Sequence, residues 1–339
     1  MPRLLLLVSG AREIALADGT QYQTGFFAEE ALIPYERFAR AGLDIVVATP
    51  DGRAPHADSY GLEEIFHHPD EDEDFLASVT RTFMPDVDDI RLTLHHLTEI
   101  GLAAARQVFL ALREAGVDAV TARDQVSHAA RTAWREDRNF ADVLAEDGLA
   151  EPLTRDQVEA AVQRHQAESR QHAADVKARL DAIDGFSRPA SLAGMPDGEM
   201  ASFDAVFVPG GHGPMVDLAG NPDVTRLLRV LQDKQATIAS LCHGPAFLLS
   251  APDREDGQWL FDGYRMTSFT TEEEAQTRVG KRGMAWFLED ALKNAGAVFD
   301  DARAAWTSHV VVDRNLVTGQ NPQSADAVAD AVLKHLEVL

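Results

Sequence analysis

Residues 236–249 read ATIASLCHGPAFLL. An apolar, β-prone run (Ala236, Ile238, Ala239, Leu241) stops at Cys242; His243 and Gly244 follow, and Pro245 opens a second apolar run. The pattern predicts a buried strand, a tight turn and a helix with Pro245 in its first turn, where the missing N–H breaks no intrahelical bond. Cys242 then stands at the turn, its side chain directed out of the sheet toward a helix N-terminus. Unpaired backbone N–H groups and the helix dipole favour a thiolate there, so a lowered thiol pKa is expected. This is the geometry of a nucleophile elbow, with Cys in the place of the usual Ser. A lone Cys is most often a small buried hydrophobe. Here it is the single Cys of the chain, ends a strand-like run and directly precedes His and Gly, which favours a reactive role.

Outward from this turn, the flanking segments read as an α/β protein. Three more near-continuous apolar runs, Arg3 to Ser9 (RLLLLVS), Asp44 to Ala48 (DIVVA) and Asp204 to Pro209 (DAVFVP), have the character of strands buried on both faces. Glu36 to Ala41 is helical in character and Gly42 ends it, so the first two runs frame a βαβ unit. Glu29 and Glu30 lie near the start of that helix, where they complement its dipole. Val224 to Gln232 is the helix before the Cys242 strand, Trp286 to Gly296 another, and Ala325 to Leu336 the last, with Ser324 as its expected N-cap. Ala305 to Asp313 and Leu316 to Gly319 read as a hairpin or two short strands.

Gly210-Gly-His-Gly-Pro-Met follows the Asp204 run, at the strand end where open α/β sheets place their sites. It lacks the Walker lysine and the G-x-G-x-x-G spacing, so it is a poor phosphate loop and a better oxyanion-binding turn. Ser268 to Ala275 (SFTTEEEA) carries three successive carboxylates, Glu272, Glu273 and Glu274, at a capped helix start.

From about Asp86 to Asp184 strand-like runs vanish and helical stretches take over: Val87 to Leu97, Ala103 to Ala115, Ala119 to Glu136, Phe140 to Ala145 and Arg155 to Ile183. Thr154 and Gln157 fit a capping box. Arg164 to His172 is polar nearly all round, so an exposed arm or partner surface is expected. His67, His68, His95 and His96 occur as adjacent pairs without metal-ligand spacing. The expected organisation is an α/β core of residues 1–84 and 186–339 with a helical insertion or cap over 85–185.

Composition narrows the function. The chain has 339 residues, is 45% hydrophobic and 25% charged, and carries a formal charge of −24. That charge repels phosphates and argues against nucleic acid as a partner. One Cys excludes an internal disulfide and fits a reducing compartment, so a cytoplasmic location is expected. No signal peptide and no membrane-length apolar run is read.

Five segments, in this order, carry a family likeness: TGFFAEEALIPYERFARAGLDIVVATPDG (Thr24 to Gly52), FVPGGHGPMVDL (Phe207 to Leu218), IASLCHGPAFLL (Ile238 to Leu249), MTSFTTEEE (Met266 to Glu274) and LVTGQNPQSA (Leu316 to Ala325). Together they resemble the ThiJ/PfpI superfamily, within it most the branch of heat-shock chaperones with glutathione-independent glyoxalase (glyoxalase III) activity. The resemblance implies a flavodoxin-like, mostly parallel sheet between helices, as in class I glutamine amidotransferases. The helical segment has no equivalent of that length in the usual member. By resemblance, Cys242 is the nucleophile, His243 the catalytic imidazole, and Glu30 the carboxyl bonded to the sulfur. Glu274 resembles the acid that orients the imidazole, with Glu272 and Glu273 as register alternatives. Gly211, in the Gly210–Gly211 turn, and the His243 N–H match the oxyanion-hole donors, and His212 falls in the pocket wall. The resemblance implies a small carbonyl substrate, no cofactor or metal, and a homodimer. A shared proton between Glu30 and Cys242 is expected, and a sulfur open to reversible oxidation. Amide hydrolysis by the same residues and a non-enzymatic chaperone or redox sensor are the competing readings.

Overall fold

The computed structural model describes residues 1–58, 104–136, 138–146 and 148–338. It divides into two compact units, one of Met1–Leu62, Val176–Ala275 and Val279–Leu339, the other of Glu63–Asp175 with Gln276–Arg278.

In the first unit β1 (Arg3–Leu7), β2 (Asp44–Thr49), β3 (Ala190–Ser191), β4 (Ala205–Val208), β5 (Thr237–Leu241), β6 (Val310–Asp313) and β7 (Leu316–Gly319) form one sheet in the order β6-β7-β5-β4-β1-β2-β3. All neighbours are parallel except the β6–β7 hairpin. The register aligns Val47, Leu6, Phe207, Ala239 and Val317 across the sheet. One residue earlier, Val46, Leu5, Val206, Ile238 and Leu316 form the next row. Successive side chains point to opposite faces, so the two rows enter two different cores. This explains why the strands read as unbroken apolar runs: both faces are covered. Helices Ala28–Arg40 and Ala325–His335 contribute Leu32, Phe38, Val328 and Val332 to one core. Pro222–Asp233 and Leu288–Ala295 contribute Leu227, Leu231 and Leu292 to the other.

The first helix, Ala28–Arg40, begins well before its most helical-looking stretch and carries Pro34 inside it. Buried Ala28, Ala31 and Leu32 hold that early part against the sheet, overriding the proline's local penalty. Glu30 therefore sits in its first turn, close to the C-terminal edge of the sheet.

Several local expectations are corrected. Glu13–Ala15 pairs antiparallel with Gln21–Gln23, a ribbon that the sequence reading did not contain. Strands of three residues are too short to show periodicity. Ser324 occupies the N-cap position but makes no capping bond, because its hydroxyl donates to Asn321 and accepts from the His309 N–H. The segment after Cys242 is a 3-10 helix, Gly244–Ser250, rather than an α-helix.

In the second unit, Ala105–Glu114, Ala119–Glu136 and Phe140–Glu146 are helices, as is Arg155–Asp181, whose last turns belong to the first unit. Val108, Leu112, Val126, Phe140, Leu144 and Val158 form a separate apolar core there. The capping box is present: Gln157 Oε1 accepts from the Thr154 N–H at 2.8 Å and the Gln157 N–H donates to Thr154 Oγ1 at 3.4 Å. Val87 to Leu97 and His67, His68, His95 and His96 lie outside the described residues. No described helix is long and apolar enough to cross a membrane.

Phe207 is fully buried at the centre of the sheet, edge-on to Phe38 at 5.4 Å. Phe207→Ala should lower stability by about 3–5 kcal/mol, read as an earlier urea midpoint.

Candidate active site

The C-terminal ends of β1, β4 and β5 converge at the point where the sheet order reverses direction, the usual ligand crevice of an open α/β sheet. Cys242 immediately follows β5 with φ of +57°, a left-handed conformation that strains any residue bearing a Cβ. Two main-chain bonds hold it: its N–H donates to Gly319 O at 2.9 Å and its carbonyl accepts from the Phe269 N–H at 2.8 Å. The side chain is thereby turned off the strand, and Sγ lies 3.3 Å from His243 Nδ1.

Glu30 reaches the same sulfur from the first helix. It is fully buried, and one carboxyl oxygen accepts from the Gly210 N–H at 2.7 Å. Burial pushes its pKa up to about 8, against the bonds from Cys242 and Gly210, so the carboxyl holds a proton at neutral pH. The thiol is not lowered as the elbow alone suggests. Burial and the adjacent Glu30 charge push it well above its ordinary value, while the Gly211 and His243 N–H groups pull the other way. The expected N–H donors are present, but desolvation of a sulfur that is only 3% exposed outweighs them. A protonated Glu30 removes the charge penalty and offers the sulfur an O–H.

Gly211 has φ of +82°, and a Cβ there would lie 2.4 Å from Gly25 O and 2.7 Å from Phe27 N. Only glycine lets this N–H approach the sulfur. The Gly210 N–H is used by Glu30, so of the glycine turn it is Gly211 whose donor faces the reacting atoms, together with the His243 N–H.

The three successive glutamates have three different environments, because an α-helix rotates about 100° per residue. Glu272 is exposed. Glu273 is buried and structural: one oxygen accepts from Trp306 N, Gln320 Nε2 and Asn321 Nδ2 at 2.7, 3.0 and 2.9 Å. Its other oxygen closes a capping box with Thr270. Glu274 faces the imidazoles: Oε2 lies 2.6 Å from His243 Nε2, and Oε1 lies 3.0 Å from His212 Nε2.

Burial alone would raise Glu274, but the two imidazoles hold it well below the usual carboxylate range. An ionised carboxylate only accepts hydrogen bonds, so both Nε2 atoms carry protons. His243 then presents a bare Nδ1 to the sulfur. Burial, with the neighbouring His212, brings its pKa down to about 4 against the pull of Glu274. His212 shifts upward: burial opposes its charge, but Glu274 and Asp58 outweigh it. The two imidazole rings lie 4.1 Å apart and Phe269 covers His243 at 4.5 Å, with Trp306 edge-on behind it at 5.4 Å.

The structure thus brings Cys242, His243, Glu30, Glu274, Gly210, Gly211 and His212 together. Sequence reasoning missed the Phe269–Trp306 layer and the anchoring task of Glu273. The Thr270-x-x-Glu273 spacing was the signal available for the latter. Among the described residues, His212, His243 and Glu274 are the group whose ligand atoms, within 4.8 Å of one another, could hold a metal. Their contacts are already N–H to carboxylate hydrogen bonds, and an ion would have to replace both protons.

A family model, described as the DJ-1/PfpI family, matches residues 109–335, which is more than half of the chain. The chain belongs to the DJ-1/PfpI family. Glyoxalase 3 of Candida albicans is 30% identical over 138 residues, 40% of this chain and 58% of that protein. Glutamine amidotransferase-like class 1 domain-containing protein 1 of Bos taurus is 35% identical over 142 residues, 42% of this chain and 62% of that protein. The match therefore spans only about three-fifths of either curated relative. The crystal structure of glyoxalase III from Candida albicans superposes with a TM-score of 0.56 at 19% identity, covering 98% of this chain and 96% of that one. This agreement is in fold, and the mostly parallel sheet flanked by helices is the family architecture.

Within this family fold the glutamate register is testable. Glu273→Gln should lower stability by roughly 2–4 kcal/mol in denaturant melts, since it weakens a buried, multiply bonded carboxylate, while Glu272→Gln should be near neutral.

Glu30 gives a pH signature. Its folded pKa of about 8 exceeds the reference 4.5, so the folded state binds the extra proton between those values. Its contribution to stability is full below pH 4.5 and is lost as pH rises through 8. His243 acts oppositely below pH 6.5, so the comparison must be with Glu30→Gln. Thermal melts should show the wild type losing more stability than Glu30→Gln between pH 5 and about 9.

Proposed function

We propose that this protein is a cysteine-dependent enzyme acting on small reactive carbonyls, converting methylglyoxal to lactate without glutathione. The observation that carries the reading is the continuous chain from Glu30 to the Cys242 sulfur, from Sγ to His243 Nδ1 at 3.3 Å, and from His243 Nε2 to Glu274 at 2.6 Å. The relative named Glyoxalase 3 supports the same chemistry.

In this reading His243 Nδ1 takes the thiol proton as sulfur adds to the aldehyde carbon. The carbonyl electron pair moves to oxygen, which the Gly211 and His243 N–H groups receive. His243 Nδ1 passes the proton it took on to that oxygen, which gives a hemithioacetal and leaves Nδ1 bare again. His243 next removes the hydrogen on the same carbon and an enediol forms. Return of a proton to the neighbouring carbon leaves a lactate thioester on Cys242. Water cleaves the thioester, releasing lactate and restoring the thiol. The sum is methylglyoxal plus water giving lactate, with no external oxidant or reductant. Glu30, protonated, supplies or holds a proton beside the sulfur. A nearly inaccessible Cys242 suits a substrate of a few atoms and excludes bulk water from the enediol.

The test is D-lactate formation from methylglyoxal without glutathione and with EDTA present. Wild type should turn over, Cys242→Ala should be inactive, and Glu30→Gln should fall by roughly 10²–10⁴-fold. An inert wild type whose thiol still reacts with iodoacetamide would reject this substrate class and turn attention to amides.

A further inference from the structure

A second non-glycine residue with a left-handed backbone lies beside the site: Trp306, with φ of +65°. A bulky side chain at such an angle persists only where its surroundings over-determine it. Here the fastenings are explicit. The Trp306 N–H donates to Glu273 Oε1 at 2.7 Å, and the same oxygen accepts from Gln320 Nε2 and Asn321 Nδ2. On one side of the indole the Ala302 N–H donates to Gln320 Oε1 at 2.8 Å; on the other, Asn321 Nδ2 donates to Thr307 O at 2.8 Å. Residues 302–307 are therefore tied at three points to Glu273, Gln320 and Asn321, and the indole takes the direction this backbone gives it.

That direction leads to the imidazole. The indole stands edge-on to Phe269 at 5.4 Å and 72°, and Phe269 packs on His243 at 4.5 Å and 35°. Phe269 is buried, its N–H held by the Cys242 carbonyl at 2.8 Å, whereas Trp306 is half-buried and forms the outer layer. The second torsion of a histidine has a broad, shallow well, so the tilt of its ring costs little by itself. Glu274 fixes the Nε2 end of His243 at 2.6 Å, but the contact of Nδ1 with Cys242 Sγ is 3.3 Å long and restrains the other end weakly. What packs against the ring then decides how Nδ1 is aimed.

We propose that Trp306 is a positioning residue: from its fastened left-handed backbone the indole edge holds Phe269 against His243, and so keeps Nδ1 aimed at the Cys242 sulfur. The inference deepens the proposed function and rests on it for the catalytic readout alone. Without the indole Phe269 gains room to turn, the imidazole tilts with it, and transfer of the thiol proton slows. Trp306 acts through Phe269 and not on substrate, so the loss falls on kcat rather than on KM.

The variant that tests this is Trp306→Gly. Glycine takes a left-handed backbone without strain and keeps the N–H that Glu273 accepts, so the indole is removed and the fastened loop stays. In wild type, proton NMR should show the carbon-bound ring protons of His243 in contact with the Phe269 ring and shifted upfield by it. In Trp306→Gly that contact and shift should weaken; in Trp306→Phe, which restores an aromatic edge, both should largely return. With methylglyoxal, kcat of Trp306→Gly should fall about ten- to hundred-fold while KM changes less than about twofold, and Trp306→Phe should recover most of the loss. No contact between Phe269 and His243 in wild type overturns the proposal and needs no variant to fold. Unchanged His243 signals in folded Trp306→Gly overturn it too, as does a raised KM with kcat intact, which would place the indole against substrate. If the NMR changes appear but wild type does not turn over methylglyoxal, Trp306 keeps this role and the glyoxalase reading fails.

Discussion

The left-handed backbone at Cys242 is the constraint on which the site depends. A residue with a Cβ at φ of +57° is strained by roughly 1–3 kcal/mol and persists only where its surroundings fix it. Here the Gly319 carbonyl at the end of β7 and the Phe269 N–H clamp it on either side of the peptide chain. The consequence is geometric. The sulfur leaves the strand direction and meets a carboxyl from the first helix, an imidazole from the next residue and backbone donors from the β4 turn. The parallel sheet supplies the rigidity, since β1, β4 and β5 lie side by side with buried residues on both faces.

Four glutamates near this point illustrate how environment, rather than residue type, assigns a task. Glu30 is desolvated and retains its proton. Glu273 is desolvated too, but donors from Thr270, Trp306, Gln320 and Asn321 surround it, so it ties three loops together. Glu274 meets two imidazoles and stays ionised. Glu272 meets solvent. Carboxyl groups pushed apart in this way are the usual means by which one fold provides both an acid and an anion at one pH.

Glycine at two adjacent positions completes the geometry. A Cβ at Gly210 would lie 2.6 Å from the Glu30 carboxyl and 2.7 Å from the Cys242 Cβ, so the turn can pass between them only without a side chain. Gly211 then bends back toward the first helix, and its main chain is bounded by Gly25 and Phe27. The N-terminal half of the fold thus shapes the donors that the C-terminal half uses.

The sequence by itself determined the parallel strands, the turn at Cys242 and the candidate group around it. Runs such as RLLLLVS and ATIASLC report burial on two faces, and burial of a strand is a local property of side-chain type. The segments that carry the DJ-1/PfpI likeness were legible for the same reason: each is a short stretch whose residues act together. Only the tertiary structure decided which glutamate meets His243, that the thiol is raised rather than lowered, that His212 bonds Glu274, and that Ser324 turns its hydroxyl away from its helix. Each of these depends on partners far apart in the chain. Glu30 and Gly210 are 180 positions apart, and Glu273 and Asn321 are 48 apart. A buried charge takes its state from the full set of neighbours and from the loss of water, and neither is encoded in local spacing.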